Sequence, residues 1–194
     1  MAGQFEAVPG GGAAVALDEV EISILRSLAV QLLELIGPAD EPAKGEDPLA
    51  ALFPSDGPTE PPADPALARL FPNAYGDSDD EELRDYSSEF RRFTENDLRS
   101  RKREDGVAVV RSLDRLSAAD KGGAVLELTP DDARHWLGAL NDLRLTIGTR
   151  LDVADEDESG ELYRLPDSDP RKPMVMAYLW LGALQESLVE TLTP

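Results

Sequence analysis

His135 is the only histidine in the chain, and Asp131 lies one helical turn before it. A carboxylate and a histidine in this arrangement can act together as a general base. However, the chain has no cysteine, and no serine stands in a nucleophile-elbow sequence where such a base would activate it. One histidine also cannot build a two-histidine metal site. We therefore predict an exposed helix histidine and no catalytic residues.

A second candidate for chemistry is an acidic segment with alternating oxygen ligands, Asp155, Asp157 and Ser159, before Gly160. This spacing matches the start of a calcium-binding loop, in which glycine makes the turn. Position twelve of such a loop is a bidentate glutamate, and here it is Pro166. Because the strongest ligand is missing, the pattern favours a solvated turn, and we predict no metal or cofactor.

The one cationic cluster lies within residues 91–103, close after an acidic run at residues 77–85. Acids at the start of a helix and bases at its end are favoured by the helix dipole, so helix stability explains most of this pattern. Weak nucleic-acid binding through the Arg-rich helix end is therefore a minor alternative. An arginine patch that docks another protein is the better hypothesis, and the candidates are Arg92, Arg99 and Arg103.

Composition places limits on the class of protein. The 194 residues carry a net charge of −20, are 41% hydrophobic and include no cysteine. The apolar content is enough for a core, and disulfides, thiolate zinc sites and iron–sulfur clusters are excluded. Such acidity repels nucleic acid and anionic membranes. Because no apolar run reaches about 18 residues and no secretory signal is present, we expect no membrane span and a cytoplasmic protein.

Apolar periodicity predicts a mainly α fold, a helical bundle of four to six helices with a small N-terminal β-hairpin within residues 4–17. We expect one helical domain over residues 1–194, with a proline-rich acidic linker at 38–63 and an acidic loop at 152–169. Residues 125–128 are a possible strand. The predicted helices cover residues 18–36, 78–103, a short stretch beyond Gly106, 129–151 and 173–192.

Three details of this pattern concern surfaces. Residues 47–54 and 64–72 form a near-repeat of Leu/Phe plugs, of which the second is expected to anchor to the core. In the long helix, one apolar face is marked by Leu83, Tyr86, Phe90, Phe93 and Leu98. The first half of the last helix has no polar face, so it is either the central helix or a subunit interface. Its candidate interface residues are Met176, Leu179 and Trp180, and we expect the protein to form a homodimer.

Several segments together resemble one family over nearly the whole chain: residues 17–28, 64–75, 128–137 and 177–185. The family is an uncharacterised actinobacterial one, domain of unknown function number two-thousand-and-seventeen. Its members are often encoded near a Clp protease adaptor, so the resemblance implies a bacterial cytoplasmic role close to protein turnover. It implies no catalytic residues.

We therefore hypothesise a non-enzymatic regulatory or accessory protein that works through protein–protein contacts. The rival from another class is a carboxylate-dependent enzyme that uses a divalent metal, Mg²⁺ or Ca²⁺, at Asp155, Asp157 and Ser159. Coordinates that bring His135 together with converging carboxylates in a cleft would favour this rival.

Overall fold

The computed structural model describes residues 3–38, 57–76, 80–117, 123–153 and 164–193. Within these ranges the chain forms three strands and five helices, and the predicted mainly α fold with an N-terminal hairpin is confirmed. In chain order they are β1 (Glu6–Val8), β2 (Gly12–Leu17), α1 (Glu19–Ile36), α2 (Pro65–Leu70), α3 (Glu81–Ser117), β3 (Ala124–Leu128), α4 (Pro130–Arg150) and α5 (Lys172–Leu192).

The small sheet has the order β1-β2-β3, and both pairs are antiparallel. Ala7 faces Ala13 across the hairpin, and Val15 faces Leu126 across the second pair. Gly10 adopts a φ of 102° in the hairpin turn, a conformation that glycine reaches without a steric penalty. The possible strand at 125–128 is thus the third strand, and its alternate residues face the core.

Short-range capping signals fix where the helices begin. Asp18 and Glu21 form a reciprocal capping box at the start of α1. Thr129 caps α4 ahead of Pro130, and Asp64 caps α2 ahead of Pro65. Each cap satisfies backbone N–H groups that have no partner inside the helix. The helix starts predicted at Asp18 and Thr129 are therefore confirmed.

Trp136 on α4 is fully buried at the centre of the core, between the sheet and the helices. Its ring meets Phe5 edge-on, with 6.0 Å between ring centroids. The backbone N–H of Phe5 donates to Ser187 on α5 at 3.1 Å, so the N-terminal residues are tied to the last helix.

Helix α3 is longer than the sequence predicted. The predicted break near Gly106 is wrong, because α3 runs without interruption for 37 residues. A Cβ atom at Gly106 would lie 2.9 Å from Cδ2 of Leu33, so glycine here permits close packing of α1 on α3.

None of the described helices combines the length and apolar character that a membrane span requires.

The second Leu/Phe plug docks as expected. Ala66, Leu70 and Phe71 are buried, with at most 2% of each residue exposed. The first plug, at residues 47–54, lies outside the described residues.

Candidate functional site

The first half of α3 turns a polar face toward the protein interior. Ser87, Arg91 and Glu95 follow each other at four-residue spacing, and each is at most 5% exposed. Arg91 forms an ion pair with one carboxylate oxygen of Glu95. The other oxygen accepts from Arg99 Nη2 at 2.6 Å, so one buried carboxylate sits between two guanidinium groups. A buried charge is tolerated only when it is paired in this way.

The same polar face holds the segment that follows α2. Arg91 Nη2 donates to the carbonyl of Phe71 and to Asn73 Oδ1, both at 3.0 Å. One turn earlier, Ser87 Oγ accepts from the backbone N–H of Tyr75 at 3.3 Å. The buried side of α3 is therefore specified by hydrogen bonds to the backbone and side chain of one segment, residues 71–75.

Two arginines of the predicted docking patch cap the end of α1. Arg99 donates to the carbonyl of Ile36, and Arg103 donates to those of Leu33 and Gly37. Helix α1 carries no basic residue in its own last turn, so α3 supplies the cations that the carbonyl end of a helix favours. Arg99 and Arg103 thus have a structural role inside the chain.

The apolar residues predicted to share one face of α3 point mainly outward. Tyr86, Phe90 and Phe93, here called the aromatic stripe, are 49%, 50% and 65% exposed. The guanidinium of Arg92, the third predicted docking arginine, lies over the Phe93 ring at 5.5 Å from its centroid. Leu98, predicted for the same face, instead packs against the core. Periodicity therefore grouped the three aromatic residues correctly, but the buried polar residues of α3 decide the direction of their face.

A second polar cluster joins α3 to α4. His135 Nδ1 lies 2.7 Å from Asp105 Oδ1 on α3, whereas Asp131 pairs with Arg134. Lys102 Nζ donates to Asp142 Oδ1 at 2.6 Å. The carboxylate proposed for His135 from sequence was therefore wrong, because the true partner is distant in sequence. These four residues, Lys102, Asp105, His135 and Asp142, are called the α3–α4 polar cluster.

Burial controls the electrostatics of this cluster. Desolvation raises the pKa of Asp105, and the hydrogen bond with His135 opposes that rise. Desolvation likewise raises the pKa of Asp142, and the hydrogen bond from Lys102 opposes this rise. Gly138 leaves the space that Asp105 fills, since a Cβ atom there would overlap the carboxylate. Without a side chain at 138, α4 can approach Asp105 closely.

His135 also lines a solvent-open cavity of about 650 Å³ between α3 and α4. The charged walls of this cavity include Arg103, Glu104, Arg111 and Asp132. A histidine held by a carboxylate could exchange a proton there. Ser100 lines the same cavity, but within the described ranges no hydrogen bond connects it to His135. This geometry can position a proton and shows no activated nucleophile among the described residues.

The remaining sequence candidates are divided between core and surface. Leu179 and Trp180 on α5 are half-buried and pack against the chain's own core, whereas Met176 is 54% exposed. The proposed metal ligands Asp155, Asp157 and Ser159 lie outside the described residues. Among the residues that the structure does describe, no three acidic or histidine side chains are grouped to hold a metal.

Proteins similar to this chain over most of its length occur in mycobacteria. The chain is 33% identical over 177 residues to the protein named oxidative stress regulator AosR from Mycobacterium tuberculosis, covering 87% of this chain and 77% of the relative. The AosR protein of Mycobacterium bovis matches with the same values. No solved structure matches the chain. A family model described as a domain of unknown function, DUF2017, matches residues 2–192, and the chain belongs to that family.

Proposed function

We propose that this protein is a regulator of the response to oxidative stress that acts by binding protein, without covalent catalysis. The observation that carries the proposal is the aromatic stripe. Tyr86, Phe90 and Phe93 are large apolar side chains held outward on a rigid helix, each about half exposed or more. Aromatic side chains are the commonest energetic anchors of protein interfaces.

The other side of α3 explains why the stripe cannot simply turn inward. Rotating the helix would expose the buried pair of Arg91 and Glu95 and break the bonds from Arg91 to Phe71 and Asn73. The carbonyl of Phe71, which is 1% exposed, would then lose its donor, and an unsatisfied buried polar group costs about 1–3 kcal/mol. The aromatic face is therefore fixed at the surface by the fold.

The relatives supply the regulatory part of the proposal. They are named oxidative stress regulators, and they align with 87% of this chain. The side chains of the α3–α4 polar cluster form hydrogen bonds with each other across the interface between the two helices. This structural role is compatible with a regulator. The link to protein turnover stays a prediction that rests on the family resemblance alone.

The test replaces the chromosomal gene of the source organism with one that encodes the double variant Phe90→Glu, Phe93→Glu, and challenges the cells with peroxide. We expect these cells to be as sensitive as a deletion strain, because charged side chains at the centre of an interface abolish docking. Val20→Glu is the matched control, since Val20 is a 64% exposed helix residue away from the stripe. Full resistance in cells with the double variant would refute the proposed role of the stripe.

The carboxylate-dependent enzyme remains the rival, and the His135–Asp105 pair beside the cavity is the feature that favours it. The substitution His135→Gln keeps a hydrogen-bond donor but removes the proton exchange of an imidazole. A regulator that acts by docking should protect cells equally well after this substitution. Loss of protection by a stably folded His135→Gln protein would favour the enzyme.

A further inference from the structure

We infer that the aromatic stripe of α3 is a self-association face, on which a second copy of this chain packs its own α3 in the antiparallel direction. The inference rests on the proposed function in one respect, that the stripe binds protein. It adds the identity of the partner, and the argument for that identity is the order of charges along the helix.

Three further residues, Glu82, Asp97 and Arg101, extend the stripe along the outward side of α3. Glu82 precedes the aromatic side chains, Asp97 and Arg101 follow them, and all three are exposed. At 3.6 residues per turn, these positions and the stripe fall within about 100° of the helix surface. The buried positions Ser87, Arg91 and Glu95 lie on a separate face, centred about 130° around the helix from the stripe.

The charges are placed symmetrically about the midpoint between Phe90 and Phe93. Glu82 and Arg101 each lie about 14 Å from that midpoint, on opposite sides, at 1.5 Å per residue. Tyr86 and Asp97 each lie about 8 Å from it. A two-fold axis through the midpoint therefore places opposite charges, and a hydroxyl and a carboxylate, against each other.

In this pair, Phe90 of one copy meets Phe93 of the other, which gives aromatic anchors at the centre. At each end, Glu82 meets Arg101 of the second copy. The Tyr86 hydroxyl donates to Glu82 Oε1 at 2.9 Å within one chain. In the pair it can donate to the second copy's Asp97 instead, and Glu82 is then left for the arginine.

A parallel arrangement would lose this match, because Glu82 would face Glu82 and Arg101 would face Arg101. Like charges that face each other in this way are destabilising. The net charge of −20 also opposes any association between copies. However, charges more than about 8 Å apart are largely screened at physiological ionic strength. Contacts within the stripe therefore decide the orientation.

The contact is of modest size. From Glu82 to Arg101 the stripe is about 29 Å long, and a single helix pair buries an area near the lower end of stable interfaces. We expect a dimer with a dissociation constant on the order of micromolar. Analytical ultracentrifugation of the full chain from about 1 to 100 µM spans that range.

The experiment compares the wild-type chain with two sets of variants by sedimentation. Phe90→Glu, Phe93→Glu should raise the dissociation constant at least about 30-fold, since each ring is a central anchor. Val20→Glu should leave it unchanged, because Val20 lies on α1, outside the stripe. Circular dichroism of each variant checks that the helices are retained.

A charge swap tests the antiparallel direction specifically. Glu82→Arg alone and Arg101→Glu alone should each weaken the dimer by roughly tenfold, because every substitution occurs twice by symmetry. The double variant restores opposite charges and should recover the wild-type constant. Two weakened single variants with no recovery in the double variant would overturn the proposed geometry.

A wild-type chain that stays monomeric up to about 100 µM would overturn the self-association, as would a dimer that survives Phe90→Glu, Phe93→Glu. These outcomes are separate from failure of the proposed function. If the wild-type chain is monomeric and the same double variant still causes peroxide sensitivity, the stripe binds a different protein. If the double variant dissociates the dimer but protects cells fully, the dimer exists and the proposed function is wrong.

Discussion

Two apolar helix faces that look alike in sequence have opposite positions in the molecule. On α5, Leu179 and Trp180 pack against the core. On α3, Phe90 and Phe93 are 50% and 65% exposed. The difference comes from the residues around them: α3 also carries Arg91 and Glu95, which pair with each other in the interior. A buried ion pair can therefore direct an aromatic face toward solvent.

The largest expected effect is loss of the carboxylate that holds the inner face of α3. Glu95→Ala leaves Arg91 buried without its ion-pair partner and should lower the free energy of unfolding by about 3–5 kcal/mol. Urea unfolding followed by circular dichroism measures the change. Glu89→Ala is the control, because the Glu89 side chain is 62% exposed and its Oε2 lies 3.9 Å from Nη1 of Arg92. If both variants lose equal stability, Glu95 does not fix the face.

The next effect tests the α5 side of the comparison. Trp180→Ala should lower the free energy of unfolding by about 2 kcal/mol, less than for a fully buried aromatic because the ring is partly exposed. Sedimentation of the same protein distinguishes core from interface. A Trp180→Ala chain that unfolds as the wild type does, but fails to self-associate, would identify α5 as the subunit contact.

A smaller effect should appear when the pH is changed. Because burial raises the pKa of Asp105 and Asp142 above 3.8, the folded chain binds more protons than the unfolded chain just above that pH. Their contribution to stability therefore falls as the pH rises from 3.8 through the raised pKa values. Asp105→Asn should make this fall shallower in urea unfolding from acidic to neutral pH.

Asp169 serves as a control for this measurement, because its pKa is shifted in the opposite direction. Hydrogen bonds from Arg171 lower the pKa of its carboxyl below 3.8, so its stabilising contribution is present above 3.8 and is lost below the lowered value. Asp169→Asn should therefore change the pH dependence of stability only toward strongly acidic pH. Equal pH profiles for Asp105→Asn and the wild-type chain would contradict the assignment of the raised pKa.

The smallest expected effect is on the exposed side of the comparison. Phe93→Ala should change the free energy of unfolding by no more than about 0.5 kcal/mol, because the ring is mostly in solvent. The measurement needs dilute protein, where self-association adds nothing to stability. A loss comparable to that of Trp180→Ala would mean that Phe93 packs inside the chain.

Local sequence signals predicted the fold well and the site poorly. Asp18, Thr129 and Pro130 marked helix starts, because caps act over three or four residues. The partner of His135 could not be found in this way, since Asp105 is 30 positions away and belongs to another helix. Sequence periodicity also placed Phe90 and Phe93 on one face without giving its direction. The four-residue spacing of Ser87, Arg91 and Glu95 is the sequence feature that marks the buried side of this helix.

The arginine caps on α1 have a consequence for how the chain acquires its structure. The carbonyls at the end of α1 receive Arg99 and Arg103 from residues more than 60 positions later in sequence. Before α3 has been synthesised, the carboxyl end of the first helix has only its local cap, from the Gly37 N–H to the Leu33 carbonyl, and we expect it to fray. We therefore expect the last turn of α1 to become fully protected from hydrogen exchange only once α3 has docked, and the two helices to complete their folding as one cooperative unit.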